Sequence, residues 1–443
     1  MCSLEGMINF LNNISNVRAL QLFQIMRYGV LILIRVALAK LGILTDEIGE
    51  FEYFLFLASA VSFFWVTGIL QSLLPLNHKS KTFGKNEQRS PELYNAFLLI
   101  SAFTLLVILL LGGYNMSDLG ETTPHFGYLL LFLLFTTPSF LVEYIYLLYN
   151  KPIRLLLYGT IVFTVQLLLV LIPIILGWSI EFAYLGLVIF SLLKFVWLLT
   201  LLAKYAQRNF SLTYIKEHMK LGLPLIISAF FGGSAQFIDG FIIKARFDES
   251  TFAVFLYGAK ELPFVYLLAN MLSNAMVVRV SHEENLSPVL NELKKESLKL
   301  MHVLFPVSIL LVLGSNYFYP LIFRSDFAES AKIFNIYLLL VISRLVFPQT
   351  ILIGLKRTGI ILRMSLTELI LNVTLSLIFI NWWGIVGVAY ATVIAYFVDK
   401  IYLVIMVKKD LSLGPASYIP VRLLLIYSIL LLVSYFVSDY FLF

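Results

Sequence analysis

The chain alternates between long apolar runs and short polar interruptions. Thirteen runs are long enough to cross a bilayer as helices. They lie roughly at 18–41, 52–76, 93–113, 126–149, 155–176, 183–203, 220–243, 252–278, 300–322, 333–353, 359–380, 384–407 and 421–442. No interruption is much longer than about 20 residues, so there is no room for a separate soluble domain. The pattern predicts an all-α polytopic membrane protein.

The interruptions alternate in charge. One set holds Lys79, Lys81, Lys85 and Arg89, then Lys151 and Arg154, then Lys204, Arg208, Lys216 and Lys220. Lys294, Lys295, Lys299, Lys356, Arg357, Lys408 and Lys409 continue that side. The other set is acidic at Asp46, Glu47, Glu50, Asp118, Glu121 and Glu181, with few cations. Basic loops stay in the cytoplasm, so the amino terminus is expected there, in the inner membrane of the cell. An odd number of spans then puts the carboxyl terminus outside. The segment 279–299, with Glu283, Glu284 and Glu292 among its lysines, reads as a solvated helix on the membrane surface. Met1 to Val17 lacks the basic start and apolar centre of a signal peptide and reads as a short interfacial helix.

Composition agrees with the pattern. Of 443 residues 60% are hydrophobic and only 13% charged, against roughly half and a quarter in soluble proteins. The mean hydropathy is +0.91. The net charge of +6 follows from basic inner loops and does not indicate nucleic-acid binding. A single cysteine, Cys2, excludes an intramolecular disulfide and a cysteine metal site. The histidines fall in loops or at run ends without metal-ligand spacing. No glycine-rich phosphate loop with its lysine occurs. The expectation is a transporter that is not an enzyme and needs no cofactor or metal.

The runs form two sets. Phe51, Phe54, Leu55, Ala58 and Phe63 match Phe252, Phe255, Leu256, Ala259 and Phe264, a shift of 201 residues. Gly186 meets Gly387 at the same shift. Runs one to six then repeat as runs seven to twelve, in the same direction through the membrane, about a pseudo-two-fold along its normal. The expected division is 1–210, 211–410 and an additional carboxyl-terminal helix at 411–443.

Charges inside the runs are the candidate site. The first run carries Gln21, Gln24, Arg27 and Arg35. At about 100° per residue, Gln24 and Arg35 lie about 20° apart, with Gln21 and Arg27 in the same stripe. A charge at membrane depth must face protein, a partner or water. Two readings stay open: a cationic lining for a central cavity, or arginines that snorkel or form structural ion pairs. The seventh run contains Pro224 and Gly232–Gly233, where bending is expected. Gln236 and Asp239 share a face there. Lys260 and Glu261 are adjacent in run eight, just before Pro263, so one of them faces the interior. Lys194 and the pair Asp399–Lys400 are expected to snorkel to the inner interface.

The segments LPLIISAFFGGSAQFIDGFIIK with VFLYGAKELPF, and LILNVTLSLIFINWWGIVGVAYATVIAYFVDKIYLVIMVKK from Leu369, resemble polysaccharide transporters. Asn372, the Trp382–Trp383 turn and Gly384/Gly387 carry the second likeness. These are the Wzx-type lipid-linked oligosaccharide flippases, including the O-antigen flippases, of the multidrug/oligosaccharidyl-lipid/polysaccharide exporter superfamily. The resemblance implies a MATE-like fold of two six-helix lobes around a cavity, working by alternating access. It implies a polyprenyl-pyrophosphate-linked oligosaccharide as cargo, moved to the outer leaflet for O-antigen, capsule or exopolysaccharide biosynthesis. Gln21, Gln24, Arg27, Arg35, Gln236 and Lys260 are then the expected substrate contacts. Asp239, with Glu261, is the candidate for coupling to a proton or sodium ion. Glycan polymerase and glycosyltransferases are the expected neighbours in the pathway, and the chain is expected to act as a monomer.

Two other classes compete. A cation-coupled multidrug exporter would more often carry a buried carboxylate in the first run, where this chain has arginines. A membrane glycan polymerase or glycosyltransferase would need a large outer loop beside Asp46, Glu47 and Glu50, and none is present.

Overall fold

A computed structural model describes residues 16–79, 89–116, 125–282 and 285–441, less the side chains at 17, 74–79, 232, 235, 236, 263, 278, 282 and 358. The interfacial helix expected before Asn16, Cys2, Glu283, Glu284 and the side chain of Gln236 lie outside that set.

The described residues are almost entirely helical, with one isolated bridge, between Ser90 and Ala206. Nine helices among them are long and apolar enough to span, and two bent pairs, Thr45–Ala60 with Phe63–Leu73 and Ser325–Arg344 with Pro348–Gly354, raise the number to eleven. Thr358–Leu411 is broken at Gly384 into two, and Leu212–Lys244 supplies the remaining one. Each of the thirteen predicted runs therefore has its helix. The break at Gly384 has φ 57° and ψ −138°, a region that only glycine enters without strain. It lets the chain reverse within one residue after Trp383.

The chain forms two compact units, Met1–Gly233 and Ser234–Phe443. The sequence placed the division near 210; the units instead meet inside the helix Leu212–Lys244. The reason is packing in its first half. A Cβ on Gly68 would overlap Ile226, and the His218 imidazole lies 2.9 Å from the Ile69 carbonyl. Those contacts hold residues up to 233 in the first unit.

In the first unit, Asn16–Lys40 lies along Pro152–Ile175. Phe23 stacks with Tyr158 and tilts onto Phe163, at ring separations of 6.0 and 5.1 Å. In the second unit, Leu286–Phe323 packs against Ala328–Leu338 and Val421–Phe441. Phe305 stacks on Tyr427 at 5.1 Å, and Asn335 Nδ2 donates to Ser438 Oγ at 3.2 Å. The thirteenth helix thus packs onto the second unit along one face. Gly186 and Gly387, paired by the repeat, do the same work: a Cβ on either would overlap a carbonyl oxygen of the preceding helix, at Leu169 or at Phe379.

The surface helix expected at 279–299 is not separate. From Leu286 it continues into run nine as one helix of 38 residues. No breaker interrupts it before Pro306, and Leu290, Leu293 and Ser297 are buried. Lys294 Nζ donates to the Ala416 carbonyl at 2.7 Å.

Candidate functional site

The first unit closes its membrane charges in pairs. Arg27 donates to Glu143 and, at 3.3 Å, to Gln24 Oε1. Its guanidinium stands over Phe23 and Phe140, 5.0 and 5.4 Å from the ring centroids. Two turns on, Arg35 is held bidentately: Nε to Glu52 Oε1 at 2.6 Å and Nη2 to Oε2 at 2.7 Å. That fork-on-fork geometry is the strongest form of the ion pair. Both carboxylates are buried, while the Arg27 and Arg35 side chains keep 26% and 19% of their surface accessible. The more accessible member of each pair is therefore the cationic one. Gln21 and Gln24 are half-buried on the same helix.

Lys194 does not snorkel. It is buried between the rings of Phe140 and Phe190, at 5.1 and 5.3 Å, within electrostatic reach of Arg27 and Glu143. Cation–π contact in place of water makes that burial tolerable. Two cations thus share one buried carboxylate in the first unit.

The second unit is built differently. Residues 259–262 break run eight, between Glu249–Gly258 and Pro263–His282. Pro263 opens the second helix, which explains the break, since its nitrogen has no hydrogen to donate. Glu261 sits in this unwound stretch and pairs with Arg344, whose Nε and Nη2 donate at 2.9 and 2.5 Å. The guanidinium lies over Tyr396 at 4.6 Å. Lys260, beside Glu261, is half-buried and has contacts of its own. Asp399 and Lys400 are both buried, against the expectation of snorkelling. Lys400 Nζ donates to Gln349 Oε1 at 2.8 Å and lies 3.7 Å from Asp399. The neighbouring helices satisfy these groups internally, so they need not reach water.

Asp239 is separate from all of these. It is buried, and its Oδ2 accepts from the hydroxyls of Tyr337 and Thr392 at 2.7 and 2.5 Å. Asn372 Nδ2 donates to Thr392 at 3.2 Å, and Ser376 Oγ to Asn372 Oδ1 at 3.1 Å. Oδ1 of Asp239 is buried with no hydrogen-bond partner among the described residues, and no lysine or arginine there reaches it. Helices seven, ten, eleven and twelve each contribute a polar side chain. The Asp239 carboxylate and the Tyr337 and Thr392 hydroxyls bring hard oxygens together, suited to a proton or small cation.

The sequence marked part of this site. It found Arg27, Arg35, Asp239 and Glu261, and the stripe of Gln24 with Arg27. It did not bring Glu52, Tyr337 or Thr392 to the site, because their partners lie 17, 98 and 153 residues away. The one available signal was a Glu, Tyr or Thr within an apolar run, and such residues are common.

Comparison with known proteins narrows the identity. Residues 251–442 match the polysaccharide biosynthesis protein family. The chain also shares its fold with solved structures. It superposes on lipid II flippase MurJ in an inward closed conformation, with TM-score 0.65, 18% identity, and 94% of this chain and 92% of that one covered. An outward-facing multidrug resistance MATE family transporter of the MOP superfamily matches with TM-score 0.54 and 13% identity, over 91% and 97%. A MOP superfamily transporter from Pyrococcus furiosus, described as having a binding pocket of reversed polarity, matches with TM-score 0.54 and 15% identity, over 91% and 97%. No curated protein matches the sequence. The chain is an all-α, MATE-like, multi-pass membrane protein.

Proposed function

We propose that this protein flips a polyprenyl-pyrophosphate-linked oligosaccharide from the cytoplasmic to the outer leaflet by alternating access, in the building of O-antigen, capsule or exopolysaccharide. The observation that carries this reading is the polarity of the first-unit pairs. Glu143 and Glu52 are sealed in, while the Arg27 and Arg35 side chains keep accessible surface. A diphosphate crossing low dielectric needs fixed positive charge beside it. Guanidinium offers paired donors to phosphate oxygens and keeps its charge at depth. Gln21, Gln24, Gln236 and Lys260 would serve sugar hydroxyls and phosphate oxygens. The family match over residues 251–442 supports a glycan cargo.

In this reading Asp239 is the coupling group, taking a proton or sodium ion among Tyr337, Thr392 and Asn372. Glu261 is the weaker candidate, because Arg344 already neutralises it. The protein acts as a monomer in the inner membrane with a cytoplasmic amino terminus, upstream of a glycan polymerase and supplied by glycosyltransferases. It makes and breaks no covalent bond.

The likeness to a multidrug transporter supports a second reading, export of organic cations. Partly accessible cationic side chains argue against it by repulsion. Complementation decides between them. The gene should restore surface glycan to a strain lacking its flippase and leave the resistance of a drug-sensitive strain unchanged. Abundant protein with no glycan export and with raised resistance to cationic drugs would reverse the assignment.

A further inference from the structure

The turn between the fourth and fifth helices is the same in both units. In the first, the Lys151 amide donates to the Tyr146 carbonyl at 2.9 Å, and Asn150 is left-handed with φ 52°. In the second, the Arg357 amide donates to the Leu352 carbonyl at 2.7 Å, and Lys356 has φ 60°. Both turns carry cations, but they are used differently. In the first unit Tyr205, at the end of the helix Glu181–Tyr205, absorbs them. Lys151 Nζ donates to its hydroxyl at 2.8 Å and sits over its ring at 5.0 Å, and Arg154 donates to the same hydroxyl at 3.3 Å.

In the second unit the corresponding helix ends in Asp410 and Leu411, with no aromatic there. Lys356, Arg357, Arg363 and Asp410 instead line a cavity of about 270 Å³. That approaches the small end of ligand sites, roughly 300 Å³. Lys356 and Arg357 are exposed and form no ion pair among the described residues, while Arg363 Nε donates to the Gly359 carbonyl at 3.2 Å. The cavity also faces the amino-terminal turn of a long helix, whose partial positive charge adds to theirs. Farther along the same helices, Leu362, Leu366, Ile401 and Ile405 present exposed aliphatic surface. Three cations against one carboxylate, on helices that also expose aliphatic side chains, are what an anionic lipid requires: charge for the head and hydrocarbon for the tails.

We propose that this cavity binds the phosphodiester headgroup of an anionic glycerophospholipid from the surrounding leaflet. Arg357 and Arg363 hold the phosphate, and Leu362 with Ile405 receives the acyl chains. Asp410 limits the charge the site accepts, favouring one phosphate over two. At the matching turn of the first unit Tyr205 occupies the cations instead.

Native mass spectrometry of the full-length protein tests this, with phosphatidylglycerol or phosphatidylcholine added to the detergent-purified chain. The wild type should retain phosphatidylglycerol in preference to phosphatidylcholine. Arg357→Gln with Arg363→Gln should weaken that retention roughly thirty-fold, on the scale of one tenfold step and a half for two cations near a membrane surface. Asp410→Asn should strengthen it, an opposite change that a folding defect cannot imitate. Equal retention of both lipids by the wild type, or unchanged retention in the double variant, would overturn the proposal. Displacement of the lipid by millimolar inorganic phosphate or pyrophosphate would also overturn it, since the site would then take a free anion.

Discussion

The opening helices of the two units carry opposite charges and treat them oppositely. In the first, Arg27 and Arg35 are matched by Glu143 and Glu52, sealed carboxylates from the same unit. In the second, Asp239 is buried among hydroxyls, with one oxygen unpartnered and no cation in reach among the described residues. The contrast does not extend to the fourth and sixth helices: Lys194 lies near Glu143, and Lys400 lies 3.7 Å from Asp399 while donating to Gln349. A matched pair is stable in one charge state only. A carboxylate held by hydroxyls tolerates a bound proton or ion as well as its absence, because hydroxyls both donate and accept. The lesson is a division of labour: fixed cationic surface in the first unit, an exchangeable charge in the second.

The largest expected effect comes from breaking a closed pair. Arg35→Ala leaves Glu52 ionised and buried without its partner, at a cost of about 3–5 kcal/mol. Membrane abundance, measured by immunoblot, should collapse. Replacing both members with apolar residues, Arg35→Met with Glu52→Leu, should restore abundance without restoring glycan export. Normal abundance in the single variant would show that the pair is not what holds these helices. Next in size is Arg27→Lys. A lysine still reaches Glu143 but loses the planar face over Phe23 and Phe140 and the second prong. Abundance should stay near normal while export falls about tenfold, the equivalent of one hydrogen bond to a charged group. Full export would remove Arg27 from the substrate path.

The third effect is on coupling. Asparagine at 239 keeps an oxygen for Tyr337 and Thr392 but cannot change charge. Asp239→Asn should preserve folding, and export should lose its response when the sodium or proton gradient is collapsed. If the variant keeps the wild-type response to both gradients, the exchangeable charge lies elsewhere, and the contrast between the units has no functional meaning.

How far these features were legible follows from the range of the interactions involved. Thirteen apolar runs could be read because burial in lipid demands some 20 apolar residues in a row, a local condition. The pairing of Gly186 with Gly387 was also legible, since both solve one packing problem at equivalent points. The break at 259–262 could be anticipated from Pro263, because a missing donor acts within its own turn. Partner choice could not. Nothing within Leu20 to Leu41 says that Arg35 meets Glu52 while Arg27 meets Glu143. Lys194, Asp399 and Lys400 were misread for the same reason. Snorkelling is the local solution for a charge near a helix end, and here Phe140, Phe190 and Gln349, brought from other helices, provide a tertiary one. The division of the chain was displaced because Gly68 admits Ile226, a contact between residues far apart in sequence.

The smallest effect concerns the helix that follows each opening span. Asp248 precedes Glu249–Gly258 with φ −73° and ψ 174°, and its carboxylate accepts from the Thr251 amide at 2.8 Å. Leu44 holds the same place before Thr45–Ala60 with φ −62° and ψ 143°. It has no acceptor; Glu47 accepts from the Leu44 amide at 3.3 Å instead. The backbone is prepared for a cap in both units, and only the second has one. Asp248→Leu should therefore cost about 1 kcal/mol, and Leu44→Asp should gain somewhat less, because Glu47 already answers one of the free amides there. The Thr251 hydrogen bonds, with Lys244 nearby, hold the Asp248 carboxyl below its usual pKa. A lowered folded-state pKa means that the contribution is complete above the unfolded value, near about 4. It is lost as pH falls through the folded value. Thermal unfolding of the purified protein should show the Asp248→Leu deficit at pH 7. That deficit should shrink on acidification, as the wild-type cap becomes protonated and loses its advantage. A deficit that stays constant down to pH 3 would mean that the aspartate acts through packing and not through its charge.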